Sequence, residues 1–251
     1  ERVLDPARLS ALLGREVTLD RVRIKPTAGV LISYRAAGSS ITGVRGRDLA
    51  DVGWAQMVDS RDKRDGILRR AARGGIEVTE HTEHTEHTEH TERPAAAAPV
   101  TEAVRPTETG GPVTAADPGA PYLLSGGIDS DPRLGREIHS VLRRLRSGAA
   151  PRVLSYNPGR HVVLMLPDSG QVLRVAGRPL DHLQQVSRQW QDLGLPTADQ
   201  ERWKNRSTVL VSDHWGHGDL AGMSDHPQAR EAATALGGVI ARLHAADVDG
   251  E

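Results

Sequence analysis

The residues best suited to chemistry surround a turn in the second half of the chain. Asn157, Gly159 and Arg160 lie in that turn, between the apolar runs 152–156 and 162–166. A turn with free backbone N–H groups can lie over phosphates, and a glycine allows a close approach. An ordinary Pro-Gly hairpin has the same pattern. The turn is therefore a candidate anion site, with a plain hairpin as the alternative.

A period-three repeat is the second candidate for chemistry. His81, His84, His87 and His90 alternate with five glutamates between residues 80 and 92. Imidazole and carboxylate groups bind zinc or nickel, but a structural site needs a shaped pocket with supporting contacts. We interpret the repeat as low-complexity linker and predict no metal site, with adventitious metal binding as the alternative. The absence of cysteine excludes disulfides, zinc thiolates and cysteine nucleophiles.

The wider segment around the repeat lacks the residues that build a core. Residues 77–121 contain no Leu, Ile, Met, Phe, Tyr or Trp. Such a stretch buries too little apolar surface to offset the conformational entropy lost on ordering. We predict a disordered linker there, between an N-terminal α+β extension at 1–76 and a second globular part at 122–251. Outside the linker, basic residues outnumber acidic ones, which suits an anionic small ligand.

The two flanking parts show the same series of elements. In the first, Asp5 and Pro6 open a short helix, strands are expected at 17–24, 30–34 and 40–45, and a helix at 59–73. In the second, helices are expected at 133–146, 179–193 and 228–246, and strands at 152–156, 162–166, 171–175 and 208–212. Antiparallel strands followed by a helix predict an α+β fold. Duplication and common hairpin patterning both explain the likeness, which is closest with Pro26 laid on Pro158.

The second part resembles a known family. The segments RVLSYNPGRHVVLMLPDSGQVLRVAG (152–177), QWQDLGLP (189–196), STVLVSDHWGHGDL (207–220) and ALGGVIARLHAAD (235–247) are similar, in that order, to the small lobe, the hinge and the first large-lobe helix of aminoglycoside phosphotransferase and choline kinase-like enzymes. IKPTAGVLISYRA (24–36) and SDPRL (130–134) fit the N-terminal extension of some members. The resemblance implies a protein-kinase-like small lobe, ATP and Mg²⁺ as cofactors, and a nucleotide and a small-molecule acceptor as partners.

The resemblance also implies a set of cofactor-binding residues. Asn157, Gly159 and Arg160 would form the turn over the phosphates, and Arg174 would stand where the family usually has the lysine that holds them. Asp181 would orient that cation in place of the usual glutamate. The last small-lobe strand and the hinge would contribute Val211 and Ser212.

The catalytic loop of the family is not found in this sequence. His217-Gly218-Asp219 matches its first three positions, but Ser224 stands where the family has asparagine. This motif also precedes the ARLHAAD helix, whereas the family's loop follows it, so residues 216–220 are interpreted as the hinge. A degenerate catalytic loop is the alternative. The chain is expected to end before the large lobe, and its catalytic residues are left unassigned.

Two main functions therefore remain open, and a metal-handling protein built around the His/Glu repeat is an outlying third. The first is an ATP-dependent phosphotransferase acting on a sugar, amino sugar or aminoglycoside hydroxyl. The second is a non-catalytic, kinase-like binding or regulatory module, which the substitution of Arg174 favours. No apolar run is long enough to span a membrane and no aromatic platform accompanies the basic residues. We therefore expect a cytoplasmic protein that binds neither membrane nor nucleic acid.

Overall fold

The computed structural model describes residues 5–25, 29–39, 46–81, 121–145, 148–214 and 225–246. These residues form an α+β fold with two antiparallel sheets of five strands and five α-helices. The helices are α1 (Pro6–Leu13), α2 (Arg61–Gly74), α3 (Gly135–Arg144), α4 (Asp181–Asp192) and α5 (Ala229–Ala245). The strands are β1 (Val17–Lys25), β2 (Gly29–Ala36), β3 (Val52–Val58), β4 (Thr79–His81), β5 (Tyr122–Gly127), β6 (Arg152–Asn157), β7 (His161–Leu166), β8 (Gln171–Ala176), β9 (Glu201–Arg202) and β10 (Val209–Asp213). No described helix is long and apolar enough to cross a membrane.

The first sheet has the strand order β1-β2-β3-β5-β4 and carries a helix on each face. On one face, Leu9 of α1 packs with Ile32, Tyr34 and Ala55. On the other face, α2 packs through Ile67 onto a cluster that contains Trp54, Val58 and Leu124. Alternate side chains of a strand point to opposite faces, so both faces of this sheet are apolar.

The first two helices begin and end as their sequences predict. Asp5 caps α1 by accepting a hydrogen bond from the N–H of Ala7, and Pro6 occupies the first turn. Ser60 caps α2 in the same way through the N–H of Lys63. Left-handed glycines, Gly14 and Gly75, terminate the two helices. The prediction of these two helices is confirmed.

The second sheet repeats the pattern of the first. Its order is β6-β7-β8-β10-β9, with α3 packed on one face through Ile138 and Val141 and α4 on the other beside Leu180 and Leu210. Each unit therefore runs helix, three-stranded meander, helix and two strands. The strand registers also agree: Ile24 lies opposite Val30 as Tyr156 lies opposite Val162. This is the alignment of the two halves, with Pro26 laid on Pro158, that the sequence predicts.

The first sheet is completed from across the predicted linker. β5 inserts between β3 and β4, pairing Ala55 with Ser125 on one side and Thr79 with Ser125 on the other. β4 lies inside the segment predicted to be disordered, and the rest of the His/Glu repeat lies outside the described residues. β3 was not predicted. The strand predicted at 40–45 lies outside the described residues. Pairing of segments this far apart leaves no local signal in sequence.

The β2 turn region shows why a glycine stands at one particular position. Gly29 has a φ of +83° at the start of β2, and a Cβ built there would lie 1.9 Å from the carbonyl oxygen of Met57. Both the backbone conformation and the close approach of β3 therefore exclude a side chain at this residue. The first strand pair can pack against β3 only because this residue is glycine.

A buried carboxylate joins the segment before α3 to the β6–β7 turn. Asp131 is 1% exposed and precedes α3. Its Oδ1 accepts hydrogen bonds from the N–H groups of Arg133 (2.8 Å) and Leu134 (3.0 Å). Its Oδ2 accepts from the Tyr156 hydroxyl (2.8 Å) and the Gly159 N–H (2.6 Å). Burial and this carboxylate raise the pKa of Tyr156 well above 10, so the phenol stays a donor.

Replacing Asp131 by Asn should destabilise the protein. The amide offers one acceptor oxygen in place of two and turns an N–H group towards the Gly159 N–H, leaving a buried donor unsatisfied. We expect the free energy of unfolding to fall by about 2–3 kcal/mol in urea denaturation at pH 7. Asp129→Asn, at an exposed carboxylate two residues earlier, is the matched control and should change little. Equal losses in both variants would contradict this role for Asp131.

Candidate functional site

A cleft lies between the first sheet and the start of the second unit. It has a volume of about 250 Å³. Its floor is the face of the first sheet that carries Leu31, Trp54 and Gln56, and α2 forms one wall. The opposite wall is the segment 131–133 together with Gly159 of the β6–β7 turn. The cleft therefore exists only where the two units meet.

The walls of the cleft carry more positive than negative charge. Arg23, Lys63, Arg70 and Arg133 line it, against the two carboxylates of Asp62 and Asp131. Four donors already surround Asp131, and Lys63 is paired with Asp59 at 2.5 Å outside the lining. The Nε1 of Trp54 is buried and has no hydrogen-bond partner among the described residues. Anionic groups with acceptor oxygens are the ligands that such a lining favours.

Five arginines from both units lie around this cleft and the neighbouring β6–β7 turn, and we call them the arginine cluster. They are Arg21 and Arg23 of β1, Arg133 before α3, Arg160 of the β6–β7 turn and Arg174 of β8. The pKa of Arg23 is lowered by burial and then by Arg160 and Arg133, and Asp131 opposes this less strongly.

Arg23 is the member whose hydrogen bonds are least complete. Its Nη2 donates to the carbonyl oxygen of Pro158 at 3.0 Å. Its Nε and Nη1 are buried from solvent and have no partner among the described residues. A buried N–H without an acceptor costs about 1–3 kcal/mol, and more when the group is charged. An anion seated between Arg23 and Arg133 would remove that cost.

Arg174 and His161 form the other end of the cluster. They lie on the face of the second sheet that carries α4, with Arg174 half-buried and its Nη2 at 3.5 Å from Nδ1 of His161. The Nε of Arg174 is buried without a described partner. Burial, followed by Arg174, Arg21 and Arg160, lowers the pKa of His161 to about 4. His161 is therefore neutral at pH 7 and accepts from Arg174.

The turn residues predicted from the sequence meet at this cluster. Gly159 has a φ of +67°, and its N–H is already bonded to Asp131. The N–H of Arg160 donates to the carbonyl of Asn157 at 3.0 Å, and the Asn157 side chain is buried. The exposed guanidinium of Arg160 extends the cluster into solvent. Of these three turn residues, Arg160 is therefore the one that offers its side chain to a ligand, while the N–H groups of Gly159 and Arg160 are already bonded.

The other predicted site residues lie on separate elements. Asp181 is exposed at the start of α4, and its carboxylate pairs with Arg202 of β9 at 2.8 Å. Val211 and Ser212 lie half-buried in β10, opposite Leu173 and Val172. The hinge and catalytic-loop candidates at 215–224 fall outside the described residues.

Sequence reasoning missed Arg23, Trp54 and Asp131. Arg23 reads as an ordinary outward residue of an alternating strand, and Trp54 lies in a strand that was not predicted. Asp131 had one usable signal, since an Asp before a Pro and a helix is typical of a carboxylate that binds backbone N–H groups. Its contact with Tyr156 and the β6–β7 turn depends on tertiary structure alone.

The described part of the chain contains no group of three metal-ligating side chains that could hold an ion. Of the repeat histidines only His81 is described, and its Nε2 lies 2.8 Å from the Ser125 hydroxyl. Burial lowers the pKa of His81, which agrees with a neutral imidazole beside a buried hydroxyl. The role of His81 in the described structure is therefore a contact between β4 and β5.

The titration of His161 provides a direct test of the cluster. Its pKa of about 4 lies below the ordinary value of about 6.5. The unfolded chain therefore takes up a proton before the folded protein does, and stability should fall as the pH drops from 6.5 towards 4. NMR titration should show a low pKa for His161 that rises in Arg174→Gln. A value near 6.5 in both proteins would contradict the described environment.

Comparisons of this chain with protein families, with curated proteins and with solved structures return no match.

Proposed function

We propose that this chain is a non-catalytic binding module whose ligand carries an anionic group held by the arginine cluster. The observation that carries the proposal is the state of Arg23. Two of its N–H groups are buried without a partner among the described residues, and burial, followed by its neighbours Arg160 and Arg133, lowers its pKa. Folding alone gains nothing from gathering like charges around an unsatisfied guanidinium. Binding an anion there offsets the repulsion and supplies an acceptor. A local loss of stability of this kind is typical of functional sites.

The cleft behind the cluster suggests the rest of the ligand. The mouth offers guanidinium groups, which bind carboxylate or phosphate oxygens through paired hydrogen bonds. The floor offers Leu31 and Trp54, which suit a small apolar or flat group. A volume of about 250 Å³ accommodates a group about the size of an amino-acid side chain or a small ring.

Two contacts favour binding over phosphoryl transfer. The Gly159 N–H donates to Asp131 and so is unavailable to a phosphate in this arrangement. Asp181, the residue expected to orient Arg174, is paired with Arg202. These contacts agree better with a module that binds an anion than with an enzyme that transfers a phosphoryl group.

Replacing Arg23 by Gln should separate ligand binding from folding. The variant loses a charged donor at the centre of the cluster, so its affinity for pyrophosphate or citrate should fall by roughly 10- to 100-fold. Its thermal stability without ligand should stay at or above that of the parent, because repulsion with Arg133 and Arg160 is relieved. Isothermal titration calorimetry and thermal unfolding at constant ionic strength measure the two effects.

Arg188→Gln is the matched control, since it removes an exposed arginine of α4 away from the cluster. It should bind both anions as the parent does. If neither anion binds the parent protein, or if both arginine variants lose affinity equally, the proposed function is wrong.

An ATP-dependent phosphotransferase is the second candidate, and the arrangement of the second unit favours it. Three antiparallel strands, a helix and two further strands follow one another at 152–213, as a kinase-like small lobe requires. Arg174 lies on the central strand of that sheet and on the face of α4. In this function ATP with Mg²⁺ would be the cofactor and a small-molecule hydroxyl the acceptor.

The two candidates differ in turnover. A binding module should bind ATP no better than other polyanions and should release no ADP with Mg²⁺ and a panel of sugars and aminoglycosides. A coupled assay for ADP measures this, with an authentic kinase as the positive control. Acceptor-dependent ADP release that Arg174→Gln abolishes would establish the transferase instead.

A further inference from the structure

Strand β1 forms one edge of the first sheet. It pairs only with β2 among the described strands, so the backbone N–H and C=O groups of its outer side have no partner strand among them. The pairing with β2 shifts register between Leu19 and Arg21, and Arg47 contacts Asp20 at 3.3 Å beside this irregularity. The regular and accessible part of the edge is therefore Arg21 to Lys25.

The side chains along this part alternate in chemistry as well as in direction. Val22 and Ile24 are 40% and 68% exposed, although they lie on the face whose partners, Ile32 and Val30, pack with α1. Arg21 and Arg23 lie on the opposite face, towards the cleft and the rest of the arginine cluster. Exposed apolar residues on a regular edge strand are unusual, because proteins commonly protect such edges from pairing.

We propose that the ligand of the arginine cluster is an extended acidic peptide that adds to β1 as a further strand. The proposal rests on the proposed function, since Arg23 belongs to both. Backbone hydrogen bonds to the β1 edge would supply affinity that does not depend on sequence. Acidic side chains of the peptide would face Arg21 and Arg23, and apolar ones would cover Val22 and Ile24.

Charge complementarity selects the acidic class of peptide. A strand that pairs with β1 places alternate side chains above Arg23, where two buried guanidinium N–H groups lack a described acceptor. A carboxylate at that position attracts the guanidinium and offsets the repulsion from Arg133 and Arg160. A basic or neutral peptide leaves the same repulsion in place.

A single-stranded nucleic acid is the competing polyanion, and the edge fits it less well. Its negative charges follow one backbone, whereas the cations of β1 lie on one face and apolar side chains on the other. Nucleic-acid binding of this type also uses aromatic side chains on which bases stack. The exposed apolar residues of this edge, Val22 and Ile24, are aliphatic.

The test uses a fluorescent peptide of alternating glutamate with valine or threonine, measured by fluorescence anisotropy against the whole chain. A copy with N-methyl groups on alternate residues keeps every charge but cannot pair as a strand, so it should bind about tenfold more weakly. Ile24→Glu and Arg23→Gln should each lower the affinity for the unmodified peptide by a similar factor. Arg188→Gln is the control and should leave binding unchanged.

The outcomes distinguish this inference from the proposed function. Pyrophosphate binding without peptide binding overturns the inference and leaves the anion-binding function standing. Equal affinity for the N-methylated and unmodified peptides also overturns it, because strand pairing would then contribute nothing. Tighter binding of an oligothymidylate of about eight nucleotides would assign the cluster to nucleic acid. Loss of both pyrophosphate and peptide binding removes the two proposals together.

Discussion

The position of the β6–β7 turn against the segment before α3 depends on the buried carboxylate of Asp131. One oxygen binds the N–H groups of Arg133 and Leu134 just before α3, and the other binds Tyr156 and the β6–β7 turn. Helix and turn therefore share an anchor that water does not reach. A buried charge is tolerated only when its acceptor sites are filled, and here backbone and phenol donors fill them.

Because this anchor uses the Gly159 N–H, it also determines what the turn can offer a ligand. The turn is held against the segment 131–133, so the guanidinium of Arg160 comes near Arg23 and Arg133. The carboxylate that could neutralise these arginines is surrounded by its own donors. Asp131 in the interior therefore has its hydrogen-bond acceptors filled, whereas Arg23 at the cleft keeps two N–H groups without a described acceptor.

The two units use one backbone plan for different purposes. In the first unit Gln56 lies opposite Leu31, and at the equivalent place in the second Arg174 lies opposite Val163. Gly29 and His161 are equivalent in the same way. The first unit keeps this face open as the floor of a cleft, whereas the second places a cation and an imidazole there. A repeated fold can therefore carry a single, asymmetric site at the junction of its copies.

Local chemistry in the sequence determined most of the elements. The caps at Asp5 and Ser60, the glycines that end α1 and α2, and the alternation of β1, β2 and β6–β8 act within a few residues, and the α+β class follows from them. The likeness of the two halves was also readable, because strand register follows the apolar pattern.

The candidate site was only partly readable. Gly159, Arg160 and Arg174 stand out in the sequence. The hydrogen bonds that make Arg23 and Asp131 part of the site involve partners more than twenty residues away. The insertion of β5 between β3 and β4 across the long intervening segment was likewise decided by tertiary structure alone. Hydrogen bonds between strands distant in sequence, and repulsion between arginines of different units, depend on distances in space that no local pattern encodes.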